Sequence, residues 1–204
     1  SAITLSGTSF ASLSRAATAA LKRGAFIEGC LHNTGQGGIS QHHLLGGDLI
    51  FQFGTGYFGC RDGEGKFCSK TLIETISNAP VRAIEIKLSQ GAKPGIGGML
   101  PAAKVSRQIA EARNVPEGKD VLSPSGHSAF SGVPGLVEFV EHVADLTGLP
   151  VGIKSAVGQT DFWSELATHM AGTHKGPDFI NIDGGEGGTG AGPLVFADHV
   201  ALPF

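Results

Sequence analysis

Charged residues are scarce in this chain: Asp, Glu, Lys and Arg make up 16% of its 204 residues, and the formal net charge is −3. Both signs are scattered along the chain, so it has no basic patch of the kind that binds nucleic acid or an anionic membrane. No apolar run approaches the roughly 20 residues that a membrane-spanning helix requires. These shortages exclude a nucleic-acid-binding protein and a membrane-spanning one.

Cysteine is equally scarce, with Cys30, Cys60 and Cys68 in no CxxC spacing. An odd number of isolated cysteines excludes a disulfide scaffold and a zinc cage, and it favours a reducing compartment such as the cytoplasm. We expect all three to be buried or incidental thiols. The sequence also lacks a Ser/His/Asp order and an HExxH motif, so hydrolytic and zinc chemistry have no support.

Glycine and apolar residues are abundant, with 32 glycines and 41% hydrophobic residues. This composition is typical of a buried α/β core with many tight loops, and the length predicts a single domain over residues 1–204. Apolar runs predict six strands, at residues 3–6, 25–28, 49–53, from residue 84 onward, 150–153 and 179–182. Helical spacing predicts intervening helices at residues 11–23, 71–77, 106–113, 136–147 and 161–174.

Alternating strands and helices predict a parallel sheet, and polar or glycine-rich loops follow nearly every strand. Sites at the carboxyl ends of all strands are typical of a (β/α)8 barrel of the TIM type. A doubly wound sheet is the alternative, but it would concentrate its glycine motifs at one switch point, whereas this chain spreads them over five loops. We therefore predict a barrel of which the first six β/α units are present.

The stretch from residue 84 to 101 is the most informative one. An apolar strand delivers Lys87, Gln90 and Lys93 into a loop rich in glycine and proline, where backbone can approach a ligand. Lys154 follows the fifth strand in the same way. Two lysines at strand ends predict an anionic ligand, and the alternative is a structural ion pair with a carboxylate at position 85, 183 or 186.

Two further features are open to more than one interpretation. Consecutive backbone N–H groups in the loop at residues 184–192, with the Thr189 hydroxyl, would suit a phosphate, and a sharp turn is the alternative. Among the histidines, His42 and His43 are predicted to be solvated in a polar turn. His127 is the better candidate for a polar contact, with a catalytic role as the less favoured alternative.

With these residues in hand, the chain resembles the central flavin domain of the glutamate synthase family over nearly all its length. The Gln-Gly-Ala-Lys-Pro-Gly string at residues 90–95 is quite specific to that family. The other matching motifs, in the same order, are Ser9-Phe10, Asn33-Thr34-Gly35, Gly37-Gly38, Gly56, Phe58-Gly59, Ile86-Lys87, Gly97-Gly98, Leu100-Pro101 and the residues from 187 to 191.

The resemblance implies a barrel that holds FMN, whose reduced form passes a hydride to an imino or 2-oxo acid in glutamate synthesis or a related reaction. The electrons would come from an iron–sulfur cluster or from an electron-donor protein such as a reductase partner. It implies catalytic roles for Lys87, Gln90 and Lys93. The cofactor-binding residues that it implies are Thr8, Ser9, Asn33, Lys87, Gln90, Lys154, Gly185, Gly187, Gly188 and Thr189.

Departures from the family pattern are concentrated near the substrate loop. Ile96, Met99 and Ala102 stand where the family has Glu, Gln and Gly, and Gln36 replaces a usual Glu. Loss of polar groups predicts a substrate other than the family's own. The family's cluster-binding cysteines have no counterpart, and units seven and eight are expected to be supplied by a C-terminal barrel segment, without which FMN binding would be weak. The alternative to an enzyme is a non-catalytic barrel remnant or assembly module that needs such a partner segment.

Overall fold

The computed structural model describes residues 3–186, 189, 192–197 and 199–204, and strands and helices alternate along most of that length. Six strands form one sheet in their chain order. They are β1 (Thr4–Leu5), β2 (Leu31–Asn33), β3 (Leu49–Phe53), β4 (Val81–Lys87), β7 (Val151–Ser155) and β8 (Phe179–Ile182), and a separate short pair comprises β5 (Met99–Leu100) and β6 (Val121–Leu122).

Every pairing within the six-stranded sheet is parallel. The sheet curls into a half-barrel, as expected for the first six units of a (β/α)8 barrel. The prediction of an α/β fold with six parallel strands is therefore confirmed. The bounds predicted for the strands at 49–53 and 179–182 agree with those observed.

Alternation along the strands sorts apolar from polar side chains. Phe51, Ile84 and Ile153 belong to the core cluster, together with side chains of the covering helices. Gln52, Glu85 and Lys154 occupy the alternate positions, so they point to the concave side of the sheet. The helices are α1 (Arg15–Ile27), α2 (Ser69–Ser77), α3 (Arg107–Arg113), α4 (Gly132–Thr147) and α5 (Asp161–Thr173).

The long helix α4 supplies most of the helical side of this core. Its residues Leu136, Val140 and Val143 are fully buried and belong to the same cluster as the strand side chains. The helix begins one turn earlier than predicted and ends where predicted, at Gly148, whose backbone is left-handed with φ of 65°.

The prediction of a strand at residues 25–28 was wrong. Residues 25–27 complete α1, and the second strand is β2, six residues further on. The buried face of α1 contains Thr18, Lys22 and Ala25, a helical spacing that the sequence obscures because one member is a lysine. Lys22 is tolerated there because its Nζ donates to the carbonyls of Gly47 and Asp48, both at 2.9 Å.

Residues 88–131 form a long excursion between β4 and α4, and α3 is the element of this excursion that sequence reasoning identified. The antiparallel pair of β5 and β6 and the helix α3 form a second, smaller apolar cluster with Phe58. Strands of two residues are too short to show a period-two pattern, which explains why they were missed. The excursion folds over the carboxyl ends of the sheet strands and so forms one wall of the cleft described below.

No helix in the described part of the chain is long and apolar enough to cross a membrane.

Candidate functional site

An open cleft of about 840 Å³ lies at the carboxyl ends of the sheet strands. One wall is the loop after β1, the floor is made by the ends of β4, β7 and β8, and the other wall is the excursion. Among the described residues, one acidic side chain, Asp183, lines this cleft against five basic ones: they are Lys87, Lys93, Lys104, Arg113 and Lys154. A concave surface with this excess of positive charge suits an anionic ligand.

Lys87 is one of two lysines that the ends of sheet strands bring to this cleft. Its Nζ donates to Gln90 Oε1 at 2.5 Å, so the loop that follows β4 folds back onto the lysine. Burial, followed by the charge of Lys154 on the neighbouring strand, lowers the pKa of Lys87 to about 8. An ammonium group with a pKa so near neutrality can bind an anion and can also release a proton.

Lys154 differs, because it forms an ion pair with Asp183 at 3.1 Å. For Lys154 the structural alternative considered from the sequence therefore holds. Within the described residues Lys87 forms no ion pair of this kind, although Asp183 and Glu85 lie close enough to raise its pKa in part.

Most of the residues predicted from the resemblance come together at this cleft. Those that line it are Thr8, Ser9, Lys87, Gln90, Lys93, Lys154 and Thr189. Gly185 lies in the turn after β8, where its N–H donates to Leu202 O at 2.9 Å. Gly187 and Gly188 lie outside the described residues, as does much of the predicted phosphate loop at 184–192. The structure thus places these seven predicted residues around one cavity, and the roles of all the predicted residues stay a prediction.

Asn33 is the predicted residue that lies beneath the cleft instead of on its surface. Its amide donates to Glu85 Oε1 at 2.8 Å, and the amide of Gln52 donates to the same oxygen at 2.5 Å. The amide of Asn181 donates to Glu85 Oε2. Glu85 is fully buried, so these donors replace water around its carboxylate and link strands β2, β3, β4 and β8 inside the half-barrel.

His127 makes the polar contact that was predicted for it, and the direction of its hydrogen bonds can be assigned. The N–H of Ala129 donates to the Tyr57 oxygen at 3.0 Å, so the Tyr57 hydroxyl is free to donate to His127 Nδ1 at 3.2 Å. His127 Nε2 then donates to the backbone carbonyl of Lys87 at 2.9 Å. This chain of hydrogen bonds holds the end of β4 from which the Lys87 side chain projects.

The prediction that His42 and His43 are solvated was wrong for His43, which is fully buried. Its ring packs 5.6 Å from the ring of His32, another fully buried histidine. Burial lowers the pKa of both, that of His32 to about 4. The two are eleven residues apart in the chain and meet only because β2 and the loop before β3 are neighbours in the fold.

Arg113 is the main cleft residue that sequence reasoning missed. It ends α3, its guanidinium lies 4.9 Å from the centre of the Phe58 ring, and burial lowers its pKa to about 10. Its Nε is buried and has no hydrogen-bond partner within the described residues. An arginine at the end of a helix is an ordinary feature, so the sequence offered no signal without knowledge that the excursion folds back.

The three cysteines are free thiols. Cys60 is fully buried and burial raises its pKa, whereas Cys30 and Cys68 are half-buried. Within the described residues, no group of three His, Cys, Asp or Glu side chains is placed to hold a metal ion.

A substitution at Gly91 tests how closely the loop after β4 packs on the turn after β8. A Cβ at this position would lie 1.8 Å from the Gly184 carbonyl oxygen, so Gly91→Ala forces one of the two backbones to move. We expect a loss of about 2 kcal/mol or more in the free energy of unfolding, measured by urea denaturation. Gly126→Ala is the matched control, since a Cβ there meets nothing within 4 Å. Equal stability of the two variants would show that the loop and the turn are not in contact.

Loss of stability in acid is expected to begin above the pH range in which carboxylates titrate. His32, His43 and His127 all have a pKa lowered by burial, so the folded state disfavours their protonation. Below pH 6.5 the unfolded chain binds more protons than the folded one, and stability is lost as the pH falls from 6.5 to about 4. His32, whose pKa is lowered to about 4, is expected to contribute on the order of 1 to 3 kcal/mol of this loss.

Urea denaturation at pH 7.0, 6.0 and 5.0 measures this loss where carboxylates contribute little. A free energy of unfolding that stays constant from pH 7.0 to 5.0 would contradict the burial of neutral histidines.

Comparison with known proteins identifies a family and several relatives that match nearly the whole chain. A family model described as a conserved region in glutamate synthase matches residues 1–204. The glutamate synthase large subunit-like protein YerD of Bacillus subtilis is 43% identical over 200 residues, which are 97% of the chain and 38% of the relative. The archaeal-type glutamate synthase (NADPH) of Thermotoga maritima is 37% identical over 199 residues, which are 96% of the chain and 36% of the relative. The chain therefore spans well under half the length of these relatives.

Proposed function

The chain belongs to the glutamate synthase family, and from that premise we propose that it forms part of an FMN-dependent oxidoreductase of the glutamate synthase type. When bound, FMN would supply the hydride that reduces an imino or 2-oxo acid. The observation that carries the proposal is the cleft, where five basic side chains converge at the carboxyl ends of the parallel strands. Because the chain spans only part of its relatives, the whole reaction is proposed for the protein to which this region contributes.

The described residues fit a flavin nucleotide. The cleft volume of about 840 Å³ lies within the range of about 300 to 1,000 Å³ found for cofactor sites. Gly91 packs its backbone against the turn after β8, which brings two loop backbones to one edge of the cleft. We propose that the cofactor is held by the predicted residues lining the cleft, with the backbone at Gly185, Gly187 and Gly188 as the further expected contacts.

The chain's own residues would bind and orient the substrate in three ways. Lys93 and Arg113 would neutralise its carboxylate groups, since both line the cleft and the Arg113 Nε lacks a partner within the described residues. Gln90 would hold Lys87 in place through the hydrogen bond that it already accepts. Lys87 Nζ, with its pKa near 8, would hold or release a proton at the reacting group.

The substrate is proposed to differ from that of a glutamate-forming enzyme. Met99 lines the cleft with 63% of its surface exposed, and Ile96 lines a small adjoining pocket of about 20 Å³. Apolar side chains at these positions offer no hydrogen bonds to a second polar group of the substrate. The electron donor would be an iron–sulfur cluster or a reductase partner. Within the described residues the three cysteines are not grouped to bind such a cluster.

An assembly module is the second candidate, and the exposed last strand favours it. On β8, Ile180 and Ile182 are 39% and 40% exposed, and the strand pairs with β7 on one side alone within the described residues. An apolar strand at an open edge is covered in most native proteins. In this second reading the half-barrel folds against a partner barrel segment and has no chemistry of its own.

Titration of FMN with the purified chain separates the two candidates. Quenching of the flavin fluorescence that saturates at one FMN per chain, with weaker quenching of riboflavin, would support a flavin site that also recognises the phosphate. No quenching at a large excess of protein, together with self-association in sedimentation velocity, would contradict flavin binding by this chain and favour the assembly module.

A further inference from the structure

Thr8 lies in the loop after β1 and lines the cleft, and nearly all of its polar atoms already have partners. Its backbone N–H donates to Asn33 O at 3.2 Å, and its carbonyl lies 3.0 Å from His43 Nε2. Its hydroxyl oxygen lies 2.5 Å from His32 Nε2. What remains to be decided is the direction of the hydrogen bonds to the two histidines.

His43 can be assigned from its neighbours. The backbone N–H of Ser40 can only donate, and it points at His43 Nδ1 from 3.0 Å. His43 Nδ1 therefore has no proton, and Nε2 carries the proton that is donated to the Thr8 carbonyl. This bond holds the loop backbone without using the Thr8 hydroxyl.

The tautomer of His32 can be assigned because one of its ring nitrogens has no hydrogen-bond partner within the described residues. The ring is fully buried, its pKa is lowered to about 4 by burial and by His43 and Lys22, and it is therefore neutral at pH 7. Its Nδ1 has no hydrogen-bond partner within the described residues. A proton on Nδ1 would be a buried unpaired N–H, which native structures avoid more strictly than an unpaired acceptor. The single proton therefore belongs on Nε2, from which it is donated to the Thr8 hydroxyl oxygen.

We propose that His32 is a positioning residue that leaves the Thr8 hydroxyl proton free to donate a hydrogen bond into the cleft. Because the Thr8 oxygen accepts from His32, the hydroxyl proton is free, and it can be donated to a ligand group that accepts a hydrogen bond. A flavin carbonyl or ring nitrogen is one such group, and a substrate carboxylate is the other. The inference rests on the proposed function for the identity of the ligand, but not for the direction of the hydrogen bond.

The side chain at position 8 is a specificity determinant in this arrangement. A ligand acceptor at this edge of the cleft can take the hydroxyl proton, whereas a ligand donor can reach only the lone pair that His32 leaves on the Thr8 oxygen. The Thr8 carbonyl already accepts from His43. The arrangement therefore favours a ligand that presents an acceptor.

Nuclear magnetic resonance of the full chain labelled with ¹⁵N-histidine reads the tautomer directly at pH 7. For His32 we expect a protonated Nε2 and a Nδ1 with the shift of a bare imidazole lone pair, with or without ligand. A protonated Nδ1 on His32 would overturn the proposal, because Thr8 would then donate to the histidine and have no proton for a ligand.

Two variants of Thr8 test the ligand. Thr8→Val keeps the branched shape and removes the hydroxyl, whereas Thr8→Ser keeps the hydroxyl, so the second is the matched control. We expect Thr8→Val to weaken binding of FMN or of 2-oxoglutarate by about 3- to 10-fold, the effect of one hydrogen bond, with Thr8→Ser within about 2-fold of wild type. The probe whose affinity falls identifies the group that the hydroxyl meets.

Thr8→Val also leaves the His32 N–H without an acceptor, so its melting temperature is measured to ensure that binding is compared between folded proteins. His32→Gln provides a second readout, because a glutamine amide N–H can replace the imidazole donor, and we expect it to retain more affinity than His32→Leu. Unchanged affinity of Thr8→Val for both probes would overturn the proposal. If wild type binds neither probe, the proposed function fails for this chain, and the tautomer of His32 then decides this inference alone.

Discussion

Replacing Glu85 with leucine is expected to lower the free energy of unfolding by about 3 kcal/mol or more. The Glu85 carboxylate accepts hydrogen bonds from the amides of Asn33 and Gln52, which are 3% and 2% exposed. Leucine fills a similar volume but leaves both of these largely buried amides without the acceptor that Glu85 supplies. Each unsatisfied buried donor costs about 1 to 3 kcal/mol. Urea denaturation followed by circular dichroism measures the loss.

Glu85→Gln serves as the graded comparison for this prediction. It keeps one carbonyl oxygen for Asn33 and Gln52, and the exposed Asn181 amide can turn to accept from the new NH₂ group. We expect a smaller loss than for leucine. Glu74→Gln, in an exposed and loosely paired side chain on α2, is the matched control and is expected to change stability by less than about 0.5 kcal/mol. A Glu85→Leu variant as stable as this control would show that the hydrogen bonds of Glu85 do not stabilise the half-barrel.

Replacing Lys87 with methionine is expected to weaken FMN binding by about 10- to 100-fold. Methionine keeps much of the length of the buried stem and removes the one strand-end ammonium group that has no carboxylate partner within the described residues. A charge-assisted hydrogen bond is worth about 1.5 to 3 kcal/mol, which corresponds to this range of affinity. We also expect the bound flavin to become harder to reduce, because a cation near the ring stabilises its anionic reduced form.

The pH dependence of binding makes the Lys87 prediction specific. Because burial and Lys154 lower the pKa of Lys87 to about 8, wild type is expected to lose FMN affinity as the pH rises through 8. The Lys87→Met variant is expected to lack this step. Lys70→Met, on the outer surface of α2 and 84% exposed at its side chain, is the matched control and is expected to bind as wild type does. A variant at position 87 with unchanged affinity and an unchanged pH profile would place Lys87 outside the site.

Opposite protonation behaviour of the strand-end lysines and the buried histidines links these predictions. Lysines at the strand ends carry charges that a bound anion would stabilise, whereas the histidines beneath the loop after β1 are held neutral. Lowering the pH from 7 to 5 is therefore expected to destabilise the fold without adding positive charge to the buried histidines. Measurements of ligand affinity are best made between pH 6.5 and 7.5, where the lysines are charged and the histidines are neutral.

The strands β3 and β8 and the end of α4 were determined by the sequence alone. Short, mainly apolar runs with glycine close to each end, and a glycine after the last turn of a helix at position 148, are local signals that need no tertiary context. The Gln-Gly-Ala-Lys-Pro-Gly string likewise pointed to the family and to Lys87 and Gln90, which the structure brings within hydrogen-bonding distance.

Contacts between distant segments were decided by the tertiary structure. Lys22 lies on the buried face of α1 because two carbonyls 25 and 26 residues away accept from it, and this allows the helix to continue through the residues predicted as a strand. Arg113 reaches the cleft only because the excursion folds back over the sheet. The Glu85 network and the pairing of His32 with Thr8 join side chains from separate strands and loops. Local sequence patterns report propensity and periodicity, whereas the burial of a polar side chain depends on partners that only the folded chain brings near.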